Sequence, residues 1–498
     1  MDQPLGSAER PAYGPLDPQN GGERPTTVRY LVLAVICSLA FITYVDRICM
    51  SRAQADIKRD LNLFELTAEN ERELAAQGKQ DDPKARELQG EQNAKERMGW
   101  IMSAFLWGYV IFEIPGGWLG DRWGVRPMIT RIVIWWSIFT ALTGSADTIL
   151  KLFVSSPSTT TMVFFMMFIR FLFGAGEAGA YPNIARAVAR WYPARQRAFV
   201  QGIVWLASRW GGAFSPVVYG WLAMATGDWR KVFWVFGAVG IVWAFFFWSW
   251  FRDRPEDKAG VNQAEVEYIR AGKVARGSVY DDTSHIPLPW RRLFLSPNLW
   301  ALFLAASCSS FTWYSIYAGQ LPAFFKQTHG LAENSKATEW ILLAPLLGAG
   351  FCSLLGGPLS YFLIKATGSF RWGRSLPGVI AFSCSAFFLY LTPQQETPLA
   401  AAICVALACS LQDLHMASLW SLTGDIGGKY AGTLAGTLNT ICNTGGAIGS
   451  LVVPYASRAG YGGWPTAFGI CAGVMATGAV LWLCVNANHK LVEEETKA

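Results

Sequence analysis

Apolar residues along this chain come as long runs, not as one face of an amphipathic pattern. From Tyr30 onward, stretches rich in Leu, Ile, Val, Phe, Ala and Gly alternate with short polar interruptions, and a helix needs about 20 such residues to cross a hydrocarbon core. Twelve crossings are predicted, at 29–55, 98–119, 128–147, 160–181, 198–225, 232–251, 298–323, 338–364, 375–392, 398–423, 430–456 and 464–486. The expected fold is an all-α membrane protein of two pseudo-symmetric six-helix bundles.

Composition agrees with that pattern. Hydrophobic residues make up 52% of the chain and charged ones only 16%, which sets it apart from soluble domains. The ten cysteines all fall inside apolar segments, so they read as small packing residues, not as a disulfide framework or a metal site. The formal charge of +6 is spread over membrane-flanking loops, so nucleic acid is not an expected partner. No nucleophile, base and orienting-acid arrangement or phosphate loop is visible, so an enzyme is not expected, and neither is a cofactor or a metal.

Loop charges orient the chain. Arg122, Arg126 and Arg131 follow the second crossing, Arg186, Arg190, Arg195 and Arg197 the fourth, Arg252, Arg254 and Lys258 the sixth, and Lys365, Arg371 and Arg374 the eighth. The positive-inside rule makes those loops, and with an even span count both termini, cytoplasmic. Residues 1–28 are Pro/Gly-rich without an apolar signal core and are expected to be a disordered cytoplasmic tail. The domains expected after it are a first bundle over 29–251, a cytoplasmic linker over 252–297 with a short amphipathic helix at "VNQAEVEYIRAGKV", a second bundle over 298–487, and a tail over 488–498. Residues 63–97 form a polar exterior insertion, expected to be solvated and partly helical, with a lid or docking role as the alternative.

The halves echo each other. "GIVWLASRWGGAFSP" and "GTLNTICNTGGAIGS" share the spacing of Gly202, Gly211 and Gly212 with Gly436, Gly445 and Gly446, and Gly116, Gly117 and Leu119 match Gly356, Gly357 and Leu359. Duplicated bundles of this kind enclose a site at their interface near the bilayer midplane, although packing alone accounts for small residues.

Full charges at membrane depth mark that site. Arg170 and Glu177, seven residues apart, share one face of the fourth crossing. Asp46, Arg47, Glu113 and Arg209 add to them. A charge there costs about 2.5–3.5 kcal/mol on insertion scales, so such residues usually serve transport pathways. Arginine forks suit a carboxylate, and a carboxylate beside them can exchange a proton as substrate arrives, which makes the proton the expected coupling ion. Arg170 is thus assigned to the anion and Glu177 to the proton, and Arg209 is expected to neutralise Glu113 or Glu177. In the second half, Asp413 and His415 lie in the tenth crossing, Trp313, Tyr314, Tyr317 and Gln320 in the seventh, and Asn439 and Asn443 in the eleventh. The seventh-crossing groups suit a hydroxylated body, the two asparagines suit a ligand or a neighbouring helix, and His415 reads as a core residue.

"GWLGDRWGVRPMI" resembles the loop signature of the major facilitator superfamily. "TYVDR", "SAFLWGYVIFEIPGGWLGDR", "RFLFGAGEAGAYPN" and "FRDRPEDKAGVNQAEVEYI" resemble its anion:cation symporter family, whose members carry sugar acids such as galactonate, glucarate and hexuronates, aromatic and dicarboxylic acids, and in animals sialic acid and glutamate. The resemblance covers the chain outside the N-terminal tail and the insertion. It implies proton relay by Asp46 and Glu177, substrate contacts from Arg47, Arg170 and Tyr109, and a gate in which Asp121, within a loop that also carries Arg122 and Arg126, meets the start of the eleventh crossing. It further implies a proton-coupled symporter of a small organic anion in a bacterial cytoplasmic membrane, acting as a monomer; the alternatives are an exchanger or exporter and a transporter-like sensor. Two departures stand out. Glu113 replaces a common Gln, so it either adds a titrating site or pairs with Arg209, and Tyr361 replaces an acid, which predicts a one-sided gate.

Overall fold

The computed structural model describes residues 23–274, 290–331 and 336–491. Most of the N-terminal tail, part of the linker and the last seven residues, all assigned roles above, lie outside them. Among the described residues the chain is helical, with no strands. The first half contains α1 (Val28–Asp60), α2 (Ala68–Ala76), α3 (Pro83–Trp123), α4 (Val125–Phe153), α5 (Thr159–Glu177), α6 (Ala180–Trp191), α7 (Ala194–Thr226) and α8 (Trp229–Trp250). Two linker helices follow, α9 (Gln263–Val274) and α10 (Trp290–Leu295). The second half contains α11 (Pro297–Thr312), a π-helical segment (Trp313–Gln320), α12 (Leu321–His329), α13 (Lys336–Thr367), α14 (Phe370–Leu391), α15 (Pro398–Gln412), α16 (Met416–Gly427), α17 (Ala431–Ala456) and α18 (Gly463–Cys484).

Ten helical stretches are long and apolar enough to cross a membrane. One of them, Pro398–Ala456, contains two crossings, and α7 completes the twelve despite its lower hydropathy. Three crossings are not continuous α-helices. The fourth breaks between α5 and α6 immediately after Glu177, at Gly179, whose φ of +87° suits glycine and whose Cα lies so close to Gly116 that a side chain would not fit. The tenth breaks at Asp413–His415, between α15 and α16. The seventh carries the π-helical segment, a deviation frequent at functional sites.

The repeat seen in the sequence is a repeat of contacts. A Cβ at Gly202 would run into the Ser353 carbonyl of α13, and one at Gly436 into the Glu113 carbonyl of α3. Gly211 abuts Phe41 of α1 as Gly445 abuts Ser307 of α11. Gly116 meets the break in the fourth crossing, and Gly356 meets Leu414 in the break of the tenth. Each small residue therefore lets two backbones approach at equivalent places in the two halves.

The segment 63–97 is largely helical and exposed, and is tied down by specific contacts. Asp82 caps a helix that begins at Pro83 and continues without a breaker into the second crossing, adding about four turns to it. Thr67 and Asn70 form a capping box on α2. Arg86 grips Glu71 at 2.8 and 2.9 Å, Arg97 donates to the carbonyls of Leu63 and Glu65, and Leu63 is buried against Ala94 and Met98. Linker helix α9 likewise docks on the first bundle: Glu265 is fully buried, pairs with Arg29 at 3.0 Å, and lies beside the buried Val266 and Ile269.

Candidate functional site

Arg47, next to the α1 acid Asp46, and Glu177, at the C-terminal end of α5, meet at 2.5 Å. The Arg47 guanidinium lies 4.5 Å from the centre of the Tyr109 ring. Asp46 is held by the Thr140 hydroxyl at 2.8 Å. Arg170, 2% exposed, rests on Phe173 and Phe105 and has no ion-pair or hydrogen-bond partner among the described residues. Asp46 and Glu177 are the acids near enough for their charge to reach it. Arg47 Nη2, Glu177 Oε2 and Arg170 Nε are buried polar atoms without partners. Buried polar atoms in folded proteins are mostly hydrogen-bonded, so three unpaired ones on neighbouring charged groups leave donors and an acceptor open at this point.

Arg209 does not neutralise Glu113 or Glu177. It crosses to the other bundle and grips Asp413 with two hydrogen bonds, 2.6 and 3.1 Å, at the break of the tenth crossing. Its guanidinium stacks 3.6 Å from the centre of Trp313 in the π-helical segment, and Ser353 adds a hydrogen bond to Asp413 at 3.3 Å. The spans that break therefore each present a carboxylate to an arginine: Glu177 within the first bundle, Asp413 between bundles. Tyr44 stands between the two pairs, with its ring 5.7 Å from Arg47 and its hydroxyl 3.4 Å from Arg209.

The eleventh crossing closes the site from the second bundle. Asn439 donates to Glu113 at 2.9 Å and to the Tyr109 hydroxyl at 3.1 Å. Asn443 donates to the Asn439 carbonyl and accepts from Tyr314 at 3.4 Å. In the seventh crossing, Tyr317 packs against Trp313 with its hydroxyl unpartnered, and Gln320 closes the π-helical segment without a side-chain hydrogen bond among the described residues. His415 is fully buried, bonded to the Gln412 carbonyl and packed edge-on to Phe382.

At the arginine-rich end the bundles are tied together. Asp121 accepts from the Gly432 and Thr433 amides at 3.1 and 2.7 Å and from the Thr433 hydroxyl at 2.6 Å, placing its charge at the N-terminus of α17. Arg186 pairs with it. Arg122 and Arg126 stay within their own bundle, over Trp118 and against the Trp248 carbonyl. The contacts between the bundles at this end are not one-sided. Arg197 reaches Asp425 of the second bundle at 3.1 Å, and Arg374 holds that same Asp425 at 3.0 Å while donating to the Ala194 carbonyl. Asp425 escaped the sequence reading, although an acid inside "SLTGDIGG" was a visible signal. Asp121→Ala removes three hydrogen bonds from the latch. Spin labels at Trp123 and Lys365, with the exposed Cys484 replaced, are expected to show a second, wider distance population in it that the parent protein lacks; identical distributions would rule the latch out.

Two helical bundles around a buried, incompletely paired set of charges define a membrane transporter. The chain belongs to the Major Facilitator Superfamily, whose family model matches residues 36–450. It is 29% identical over 463 residues, 92% of this chain and 94% of the relative, to SauU of Cupriavidus necator, described as a probable sulfoacetate transporter. It is 27% identical over 374 residues, 74% of each, to GudP of Escherichia coli, described as a probable galactarate/D-glucarate transporter. Among solved structures, the proton:xylose symporter XylE superposes with a TM-score of 0.66 at 14% identity, covering 93% of this chain and 97% of that one. The human organic anion transporter MFSD10 gives 0.61 at 15% identity, over 92% and 100%.

Proposed function

We propose that this protein is a proton-coupled symporter of a small organic anion, a sugar acid or similar carboxylate, in a bacterial cytoplasmic membrane. The observation that carries the reading is Arg170, a buried guanidinium without an ion pair, beside an Arg47–Glu177 pair with spare donors and acceptors. A substrate carboxylate has bidentate seats on Arg170 and Arg47. Once it draws Arg47 away, Glu177 is left as a lone carboxylate in a dry site, where the neutral form is favoured, and it takes a proton from the exterior. Asp46, one residue from Arg47, is positioned to relay that proton. Tyr109, Tyr314, Tyr317, Gln320, Asn439 and Asn443 supply hydroxyl and amide partners for the rest of the substrate. With the site neutralised, the latch at Asp121 and Asp425 parts, the bundles rock, and anion and proton leave to the cytoplasm. The relatives named for sulfoacetate and for galactarate and glucarate support an anionic substrate. The protein works as a monomer with both termini cytoplasmic, and the proton is its only coupling partner.

The test is uptake of labelled galactonate, glucarate and sulfoacetate into proteoliposomes, with and without an inward proton gradient. In Glu177→Gln, gradient-driven accumulation is expected to fall at least about 10-fold while one-for-one exchange across the membrane continues. Wild-type accumulation that ignores the proton gradient would replace symport with exchange.

A further inference from the structure

Glu113 is the buried acid that the scheme above leaves without a task. It is fully buried on α3, and one of its oxygens, Oε1, accepts from Asn439 of the opposite bundle while the other, Oε2, is sealed with no partner. Arg209, its expected counter-ion, is committed to Asp413. The groups that reach Glu113 are Asn439 of α17, Tyr109 on its own helix, the backbone at Gly179 between α5 and α6, and, as the charge, Arg47 of α1, which is engaged by Glu177. A carboxylate so placed has no ion pair of its own and meets only neutral donors, the Asn439 amide at 2.9 Å foremost, with the Tyr109 hydroxyl and the Gly179 amide beside it, whereas buried carboxylates that stay ionised are paired. The seal comes from the other bundle. The α17 backbone crosses α3 at Gly436, where a Cβ would lie 2.7 Å from the Glu113 carbonyl, and Asn439 covers the side chain from the following turn. Any movement of one bundle against the other moves α17 across Glu113.

We propose that Glu113 is an additional proton-carrying carboxylate of the transport cycle. An O–H bond forms at Oε2 with a proton that enters from exterior water through the Arg47 and Tyr109 side of the site while α17 shuts Glu113 off from the cytoplasm. That bond breaks, returning the proton to cytoplasmic water, when rocking lifts Asn439 away. Each substrate then travels with one more proton than a glutamine at this position would allow. The inference rests on the proton-coupled reading above and adds to it the regulation of stoichiometry by a contact between bundles.

Two measurements on the full-length protein test it. Infrared spectroscopy of purified protein at neutral pH is expected to show a protonated-carboxyl stretch that disappears in Glu113→Gln. Its absence in wild type would overturn the proposal without any need for the variant to fold. In proteoliposomes, the proton-to-substrate ratio is read from the pH gradient and potential at which net flux of labelled glucarate, galactonate or sulfoacetate reverses. It is expected to fall by one in Glu113→Gln. If wild type moves protons and the variant moves the same number, Glu113 is a permanently neutral packing residue. If wild type moves substrate with no protons, the symport reading itself fails.

Discussion

Arg170→Ala is expected to abolish accumulation of every anion the protein carries while leaving the fold intact. The side chain is buried but holds no ion pair or hydrogen bond, so removing it breaks no direct contact with a polar partner and costs its packing on Phe173 and Phe105 and its charge near Asp46 and Glu177. The bound state is affected differently. Truncating one member of a desolvated, hydrogen-bonded charge pair costs about 2–5 kcal/mol, which weakens substrate binding by a factor of about 30 or more. Arg170→Lys should fare little better, because an ammonium restores the charge without the planar fork. The readouts are substrate affinity from binding to purified protein, and melting temperature of the empty protein in detergent. Near-normal affinity in Arg170→Ala would move the anion site elsewhere. A collapsed melting temperature would make Arg170 a structural residue.

The second large effect is expected at Asp413. Replacing it with Asn strips the buried Arg209 of its counter-ion, and breaking a buried pair from one side costs about 3–5 kcal/mol. Asp413→Asn should therefore lower the melting temperature markedly and cut uptake, whereas the neutral double variant Arg209→Gln/Asp413→Asn should regain most of the stability. That recovery separates a charge-pair effect from a shape effect, since Asn keeps the shape of Asp413 while Gln gives up the Arg209 stack on Trp313. Wild-type stability in Asp413→Asn would show that the pair contributes nothing to holding the bundles together. The double variant also asks whether the bundles need an ionic contact at their centre: if the tie sets the balance between open and closed states, transport stays impaired after stability returns.

Much of this arrangement was written into the sequence in local terms. An acid or arginine among some twenty apolar residues is visible without knowing its neighbours, so Asp46, Arg47, Glu113, Arg170, Glu177 and Arg209 announced a polar centre. The equal spacing of Gly202, Gly211 and Gly212 with Gly436, Gly445 and Gly446 announced the duplication, and the structure shows what it serves: equivalent backbone crossings in each half. Other features were hidden because they depend on how a helix continues or stops. The insertion at 63–97 read as solvated and partly helical, but nothing local in its dense charges showed that its second helix runs on into the second crossing. The break after Glu177 fell within what read as one unbroken crossing, since its glycine is decisive only once Gly116 is packed against it.

What the sequence by itself determined is the number and order of the crossings, their two-fold repeat and the depth of the charged residues, because hydropathy and spacing are properties of neighbouring residues. Only the tertiary structure decided who pairs with whom. Arg209 stood closer in sequence to Glu177 and Glu113, but its partner is Asp413, 204 residues away. That choice follows from the rotation of α7 about its axis and from the seat of the second bundle against it, and pairing in a dry interior is settled by which oxygen lies within hydrogen-bond reach.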